Sequence, residues 1–324
     1  MIIIATVFLA CANVWADGDG GYAGTFMRGG IGARPLGMGG AFTAVAEGAE
    51  APYYNPAGLG FIVMPTVTMS YRNQFLDRHT GYFAFSFPIK NEAAMAISWI
   101  NNGTSSLPGR GESRQPLGDI QNNQNSFALS FSKALTPKIS FGMNLRYIAE
   151  KYDGLDAFSI GAGAGALYIP HKMVKIGAVL ENLGSNYRWN SQGYWSDGGS
   201  YNENFPIIFR FGVAGNLLSG ALIPAVDIEK NTKQGIKIRT GSEYWVIKKV
   251  IKKIEDEYEE GTFIEVEEIQ RFACLRAGLD NGTPSFGATY NHYIKRFIIG
   301  LEYAFSLGKE STSAGHLMTL NVSF

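Results

Sequence analysis

The chain has 324 residues, with 28 Lys+Arg against 28 Asp+Glu, and a net charge of zero excludes a nucleic-acid partner held by bulk charge. Aromatics make up 13% and charged residues only 17%, with 40 glycines and a mean hydropathy of −0.03. The only long apolar run is N-terminal, so no helix is expected to span a membrane beyond it, and the composition suits many short alternating strands.

Residues 1–16, MIIIATVFLACANVWA, read as a signal peptide. An apolar core precedes Val14-Trp15-Ala16, which offers small residues at both cleavage positions, although a positive n-region is missing. A buried strand is the alternative, and Phe8-Leu9-Ala10-Cys11 fits a lipobox only loosely. Cleavage after Ala16 leaves one cysteine, Cys274, so neither an internal disulfide nor a cysteine metal site is expected.

Residues 17–61 are expected to form a separate segment. Its part 29–61 is too Gly-rich for a regular core element and too apolar for a solvated linker. A helix-like run is expected over 41–50, followed by Tyr53-Tyr54-Asn55-Pro56-Ala57-Gly58-Leu59. Such a compact irregular stretch needs a wall to satisfy its backbone groups, and the remainder of the chain, 62–324, is the expected wall.

After residue 61 the pattern turns to period two. Phe127, Leu129 and Phe131 alternate with Ala128, Ser130 and Ser132, and Phe141, Met143, Leu145 and Tyr147 with Gly142, Asn144 and Arg146. Similar runs occur near 63–74, 82–89, 93–99, 157–168, 173–183, 205–215, 221–229, 235–246, 272–279, 284–292, 296–306 and 315–324. About fourteen alternating segments of roughly ten residues predict an all-β fold: a single antiparallel transmembrane barrel with an N-terminal plug. The polar face carries Arg146, Glu181, Arg210, Arg239, Glu243, Arg276 and Glu302. In a membrane barrel these line the lumen and pair with one another; in a soluble sheet they would be a solvated outer face.

Connections alternate in length. Residues 102–122 and 185–204 are long and polar, whereas Lys90-Asn91, Thr136-Pro137, Pro170-His171 and Tyr293-Ile294 mark tight turns. Long outer loops and short periplasmic turns are the outer-membrane pattern. Residues 247–271 break it, being long on the periplasmic side. They read either as a short amphipathic helix through Val250, Ile254 and Tyr258 or as a hairpin extending two barrel strands. Their charge blocks read as a solvated surface or as a docking element for a periplasmic partner. The C-terminal strand ends on Phe324, consistent with barrel closure and with a signal read by the barrel-assembly machinery.

Two sets of residues carry a family resemblance. The run from Gly32-Ala33-Arg34-Pro35 to Gly40-Ala41-Phe42, continued by Tyr54, Asn55, Pro56, Ala57 and Gly58, resembles the N-terminal signature of the PorV/PorQ family, which is related to FadL-like hydrophobic-compound transporters. Glu181-Asn182-Leu183-Gly184, Gly241-Ser242-Glu243-Tyr244-Trp245 and the run Leu275-Arg276 to Gly282 are similar to strand motifs of the same family, whereas 247–271 departs from its pattern. The resemblance implies an outer-membrane barrel of about fourteen strands whose Asn55-Pro56-Ala57 element lies in a plug. It implies secretion-associated cargo handling of the type IX kind or, alternatively, uptake of long-chain fatty acids or other hydrophobic solutes. A sealed barrel that only anchors partners is a third reading. The implied partners are outer-membrane lipid, the assembly machinery, periplasmic or secretion proteins through 247–271, and a hydrophobic ligand.

No catalytic constellation is legible. His79, His171, His292 and His316 sit apart from one another, without metal-ligand spacing. No Gly-x-Ser-x-Gly elbow occurs, and Gly37-Met38-Gly39-Gly40 lacks dinucleotide-fingerprint spacing. Asp153-Gly154 and Asp280-Asn281-Gly282 read as hairpin turns. A Ser–His pair assembled from distant strands has no support in the pattern. The chain is therefore expected not to be an enzyme and to hold no cofactor or metal.

Overall fold

The computed structural model describes residues 22–74, 77–104, 108–111, 113–120, 122–153, 155–192, 197–255, 263–307 and 314–324. The signal-peptide reading of 1–16 lies outside these residues.

The strands in chain order are β1 (Thr66–Gln74), β2 (Arg78–Ile89), β3 (Ala93–Thr104), β4 (Pro108–Arg110), β5 (Pro116–Asp119) and β6 (Asn122–Thr136). They continue as β7 (Ile139–Tyr152), β8 (Leu155–His171), β9 (Val174–Leu183), β10 (Asn186–Asn190), β11 (Ser200–Asn204) and β12 (Ile208–Gly215). The last are β13 (Leu222–Asn231), β14 (Ile236–Glu255), β15 (Phe263–Asp280), β16 (Thr283–Ile294), β17 (Phe297–Ser306) and β18 (Gly315–Ser323). Fourteen of them form one closed antiparallel barrel. β4–β5 and β10–β11 are two-stranded hairpins within the long connections 102–122 and 185–204. The barrel closes where β1 pairs with β18, from Thr66↔Ser323 to Asn73↔His316. Closure leaves no open edge, which is what a strand structure in lipid requires.

The alternation is inverted relative to a soluble protein. On β7, Phe141, Met143, Leu145 and Tyr147 are exposed on the outside, while Ser140, Asn144 and Arg146 are buried inside. The same holds on β3, β6 and β8, where Ile97, Phe127, Leu129, Phe158 and Ile160 are exposed. A continuous outward apolar face with buried inward polar groups is stable only where lipid is the outer solvent. The chain is therefore a membrane-spanning barrel of the outer-membrane kind. No helix among the described residues is long and apolar enough to cross a membrane.

One rim, the short-turn rim, carries the barrel's terminal ends, at Thr66 and Ser323, and the turns after Ile89, Thr136, His171 and Ile294; the opposite rim carries the long connections together with the tight turn between β15 and β16. Asn281 and Gly282, at φ 47° and 88°, form a two-residue turn between β15 and β16, the positive φ values that such hairpins need. At the short-turn rim the Phe324 backbone N–H donates to the Pro65 carbonyl at 3.0 Å. Its ring stacks on Phe85 with centroids 6.5 Å apart.

Two local expectations are resolved differently or more narrowly. Residues 41–50 are not a helix. The helices are α1 (Ala33–Gly37) and α2 (Ala51–Tyr54), with 3-10 turns at Gly48–Glu50 and Pro56–Phe61. The backbone at 42–43 is drawn away from helical bonding because Asp227 Oδ2 accepts both the Phe42 and Thr43 N–H groups, at 2.9 and 2.8 Å. Residues 247–271 follow the hairpin reading rather than the helical one, to Glu255 and from Phe263; residues 256–262, including Tyr258, lie outside the described residues. The neighbours β13 and β16 stop pairing at Tyr244 and Ala273, so the hairpin runs beyond the rim as a free two-stranded ribbon. A register shift at Val246/Ile247 marks where it leaves the barrel.

Candidate functional site

The N-terminal segment, from residue 22 to 61, lies within the ring and touches it nearly all round. The Ala33 N–H donates to Thr319 Oγ1 of β18 at 2.8 Å, and the Gly39 N–H to Ser285 Oγ of β16 at 3.1 Å. Ser132 Oγ of β6 and Ser140 Oγ of β7 both donate to the Ala57 carbonyl, at 3.2 and 2.8 Å. Tyr82 Oη of β2 donates to the Ala49 carbonyl at 2.6 Å. These are the side chains and backbone groups that satisfy an irregular buried stretch.

The Asn55-Pro56-Ala57 element sits against β6–β8. The Asn55 side chain is fully buried; its Nδ2 donates to the carbonyls of Thr43 and Ala166, at 2.9 and 3.1 Å, and its Oδ1 accepts from the Ala57 N–H at 3.1 Å. Tyr54 Oη donates to the Ile31 carbonyl at 2.8 Å and accepts from the Ile31 N–H at 3.2 Å, joining the two ends of the segment. Pro56 reaches the wall because Gly142 has no side chain: a Cβ there would lie 2.3 Å from the Pro56 carbonyl carbon. Gly58 packs as closely on the segment itself, where a Cβ would lie 2.1 Å from the Ala46 carbonyl oxygen.

The seven inward charges fall into two groups. Toward the long-connection rim, Glu181 lies between Arg146 and Arg210, with the Arg146 contact at 3.5 Å. Glu229 meets Arg210 at 3.9 Å and Arg239 at 2.8 Å, and Arg239 also meets Asp280 at 3.0 Å. In the other group Glu243 accepts from Arg34 Nη2 at 2.7 Å, Arg34 Nε at 3.0 Å and Arg276 Nε at 3.0 Å. Arg34 comes from the N-terminal segment, so the wholly buried Glu243 is one of the wall groups that hold that segment. Arg34 also meets Glu47 at 2.5 Å, and its backbone N–H donates to Glu302 at 3.1 Å. The guanidiniums of Arg34, Arg271 and Arg276 surround the Trp245 ring at 5.1–5.8 Å.

Sequence reasoning missed Asp227, the segment's own Arg34, Glu47 and Glu50, and the inward glycines of the wall. Gly241 and Gly278 leave room for Met38, whose backbone lies 2.2 Å from a Cβ built at either position. Their signal was visible as glycines at inward positions of alternating strands, a mark of close backbone approach.

The segment separates two cavities. One of about 520 Å³ opens at the short-turn rim and is lined by charged, amide and hydroxyl groups, with Trp245, Ile269 and Ile298. The other, about 100 Å³, faces the long connections and is lined by Arg72, Arg210, Arg239, Glu181, Glu229 and neighbouring groups. The apolar lumen groups are covered instead: Tyr82, Ala84, Ala94, Ala96 and Ile100 of β2 and β3 form one buried cluster with Phe42, Val45, Tyr54 and Leu59 of the segment, joined by Ala214, Ile223, Ala225, Trp245 and Cys274 from β12 to β15. Two carboxyls on the segment border the larger cavity. Burial pushes the Glu50 carboxyl up, to about 8, and the charge of Glu302 adds to it, against Arg34 and Arg276. Burial acts the same way on Glu47, but Arg34, Lys175 and Arg271 outweigh it and hold that carboxyl down at about 2.

No family model matches the chain, and no curated protein matches it. Solved structures do. A FadL homologue of Pseudomonas aeruginosa superimposes with a TM-score of 0.60 at 11% identity, covering 91% of this chain and 98% of that one. The Pseudomonas putida toluene transporter TodX gives 0.56 at 15% identity, covering 91% and 97%. The monoaromatic hydrocarbon channel CymD gives 0.54 at 13%, covering 91% and 96%. At these identities the likeness concerns architecture: the chain has the fourteen-stranded outer-membrane barrel fold shared by these transporters.

Proposed function

We propose that this protein is an outer-membrane channel for hydrophobic solutes and that the N-terminal segment is its plug and gate. The observation that carries the reading is how the segment is held. Beside apolar packing, its polar contacts to the wall include the Arg34–Glu243 pair, the Asp227 carboxylate, Asn55 and several hydroxyls. None belongs to the strand ladder, so the segment can move while the barrel stays closed. Uncovered by that movement, the apolar groups of β2 and β3 supply a surface along which an apolar solute would pass. The solved structures sharing the fold include a toluene transporter and a monoaromatic hydrocarbon channel, which supports the solute class. The test is uptake of labelled toluene and of a long-chain fatty acid by a deletion strain with and without the restored gene. Unchanged uptake of both would overturn the reading.

A second reading, secretion-associated cargo handling as in PorV/PorQ, is favoured by one feature: the ribbon formed by β14 and β15 beyond their neighbours. Under it, the ribbon is a docking element for periplasmic or secretion-system proteins. Type IX components encoded in the same genome, and their recovery with the detergent-extracted barrel, are the discriminating results. In either reading the lumen charges hold the plug, and Phe324 is the residue offered to the assembly machinery. An N-terminal signal peptide would direct export.

A further inference from the structure

The cavity at the short-turn rim contains an unbalanced set of charges. Its lining has three carboxylates, Glu47, Glu50 and Glu302, against two guanidiniums, Arg34 and Arg271. Arg34 is already engaged by Glu243 and Glu47, and Arg271 lies 3.8 Å from Glu47 with its guanidinium over Trp245. Arg276, behind them, is engaged by Glu243. Glu50 and Glu302 are left with no cation within ion-pairing distance among the described residues. Both are more than nine-tenths buried, and among the described residues no hydrogen-bond donor reaches Glu50 Oε1. A buried carboxylate without a counter-charge is costly unless something neutralises it.

We propose that this cavity is a binding site for an organic ammonium, with the ammonium head seated at Glu50 and Glu302. A bare metal ion fits less well, since no group of three His, Cys, Asp or Glu side chains is arranged to hold one among the described residues. The volume, about 520 Å³, also far exceeds that of one water, about 30 Å³. An ammonium carries three N–H donors, enough for both carboxylates and one further acceptor. Asn291 and Asn216 offer amide groups at the wall, and Trp245, Ile269 and Ile298 supply apolar surface for a short alkyl chain. The carboxylates must be ionised to bind, so affinity rises with pH through the range in which Glu50 gives up its proton. Burial sets that range first, and the charges that modify it are Glu302, Arg34, Arg276 and Glu47. The site exists whether or not the segment gates a channel.

The test is calorimetric titration of the full-length protein in detergent with 1,5-diaminopentane, with 1,5-pentanediol as the neutral control. Saturable binding of the diamine alone is expected, weakened at least tenfold in Glu50→Gln and in Glu302→Gln, and tighter at pH 9 than at pH 6. Heat-modifiable migration verifies that each variant is folded; if one does not fold, the other and the diol control still decide. Absence of saturable binding, equal binding of the diol, or wild-type affinity in a folded variant would overturn the proposal. So would an infrared band of protonated carboxyl that disappears in Glu50→Gln but does not change when the diamine is added, since the site would then take only a proton.

Discussion

Replacing Glu243 by Gln tests how the N-terminal segment is held. The side chain is fully buried and accepts three bonds, two from Arg34 and one from Arg276. Gln keeps the shape but removes the charge. Arg34 retains Glu47. Arg276, whose side chain is wholly buried, keeps its bond to Thr289 but exchanges its carboxylate partner for a neutral amide oxygen, and no other carboxylate pairs with it among the described residues. Breaking a buried ion pair by removing one member costs about 3–5 kcal/mol. That loss falls on the docked state, because a detached segment admits water to Arg276. At 1.4 kcal/mol per tenfold, opening of the segment should become about a hundredfold to several thousandfold more frequent. Native-state amide exchange in micelles reads this directly. Protection at Ala41 to Thr43 and Asn55 to Gly58 should fall by that factor while the β6–β7 and β16–β17 ladders keep theirs. Protection within tenfold of wild type would refute the assigned role of Glu243. An equal loss in segment and ladders would refute the separability of segment and barrel.

Asn55→Ala leaves the Ala57 N–H and two carbonyls without their partner, a cost of about 1–3 kcal/mol for each unsatisfied group; faster proteolysis of the segment with unchanged heat-modifiable migration is expected. Gly142→Val places a side chain where Pro56 and Ala57 backbone atoms lie and should displace the segment at about 1–3 kcal/mol of overpacking, read as new exchange at Ala57 and Gly58. Replacing residues 248–270 with an Asn-Gly turn should leave the barrel folded, since β13 and β16 stop pairing at Tyr244 and Ala273; loss of heat-modifiable migration would contradict this. The Glu50 carboxyl titrates near 8 when folded against an ordinary value of 4.5, so it binds a proton more tightly in the folded state. Its contribution is complete below pH 4.5 and is lost as pH rises toward 8. The unfolding temperature should therefore decline across that window and decline less in Glu50→Gln. Glu47, held low, acts in the opposite sense only as pH falls from 4.5 toward 2, outside that window.

The fourteen strands were legible because period two is a local property. Each outward residue, such as Leu145 or Phe127, faces lipid whatever its neighbours are, so hydropathy alternation along the chain carries the barrel. Strand ends were less legible: β14 and β15 run on into the charged ribbon because hydrogen bonding to one neighbour suffices to extend a hairpin, and alternation there no longer reports two solvents. The Asn55-Pro56-Ala57 element and the seven inward charges could be picked out by residue type and position. Their partners could not. Arg34 and Glu243 are 209 residues apart, and Asp227 and Phe42 are 185 apart. Only closure of the ring brings them within bonding distance, and only the depth of the lumen decides that Glu243 has two cations while Glu50 and Glu302 have none within ion-pairing distance among the described residues. That a barrel forms, and which face of each strand meets lipid, could therefore be read from the residues alone, because both depend on alternation along one strand. The tertiary structure alone decided how the segment docks and where charge is left uncompensated, because those depend on which strands face one another across the lumen.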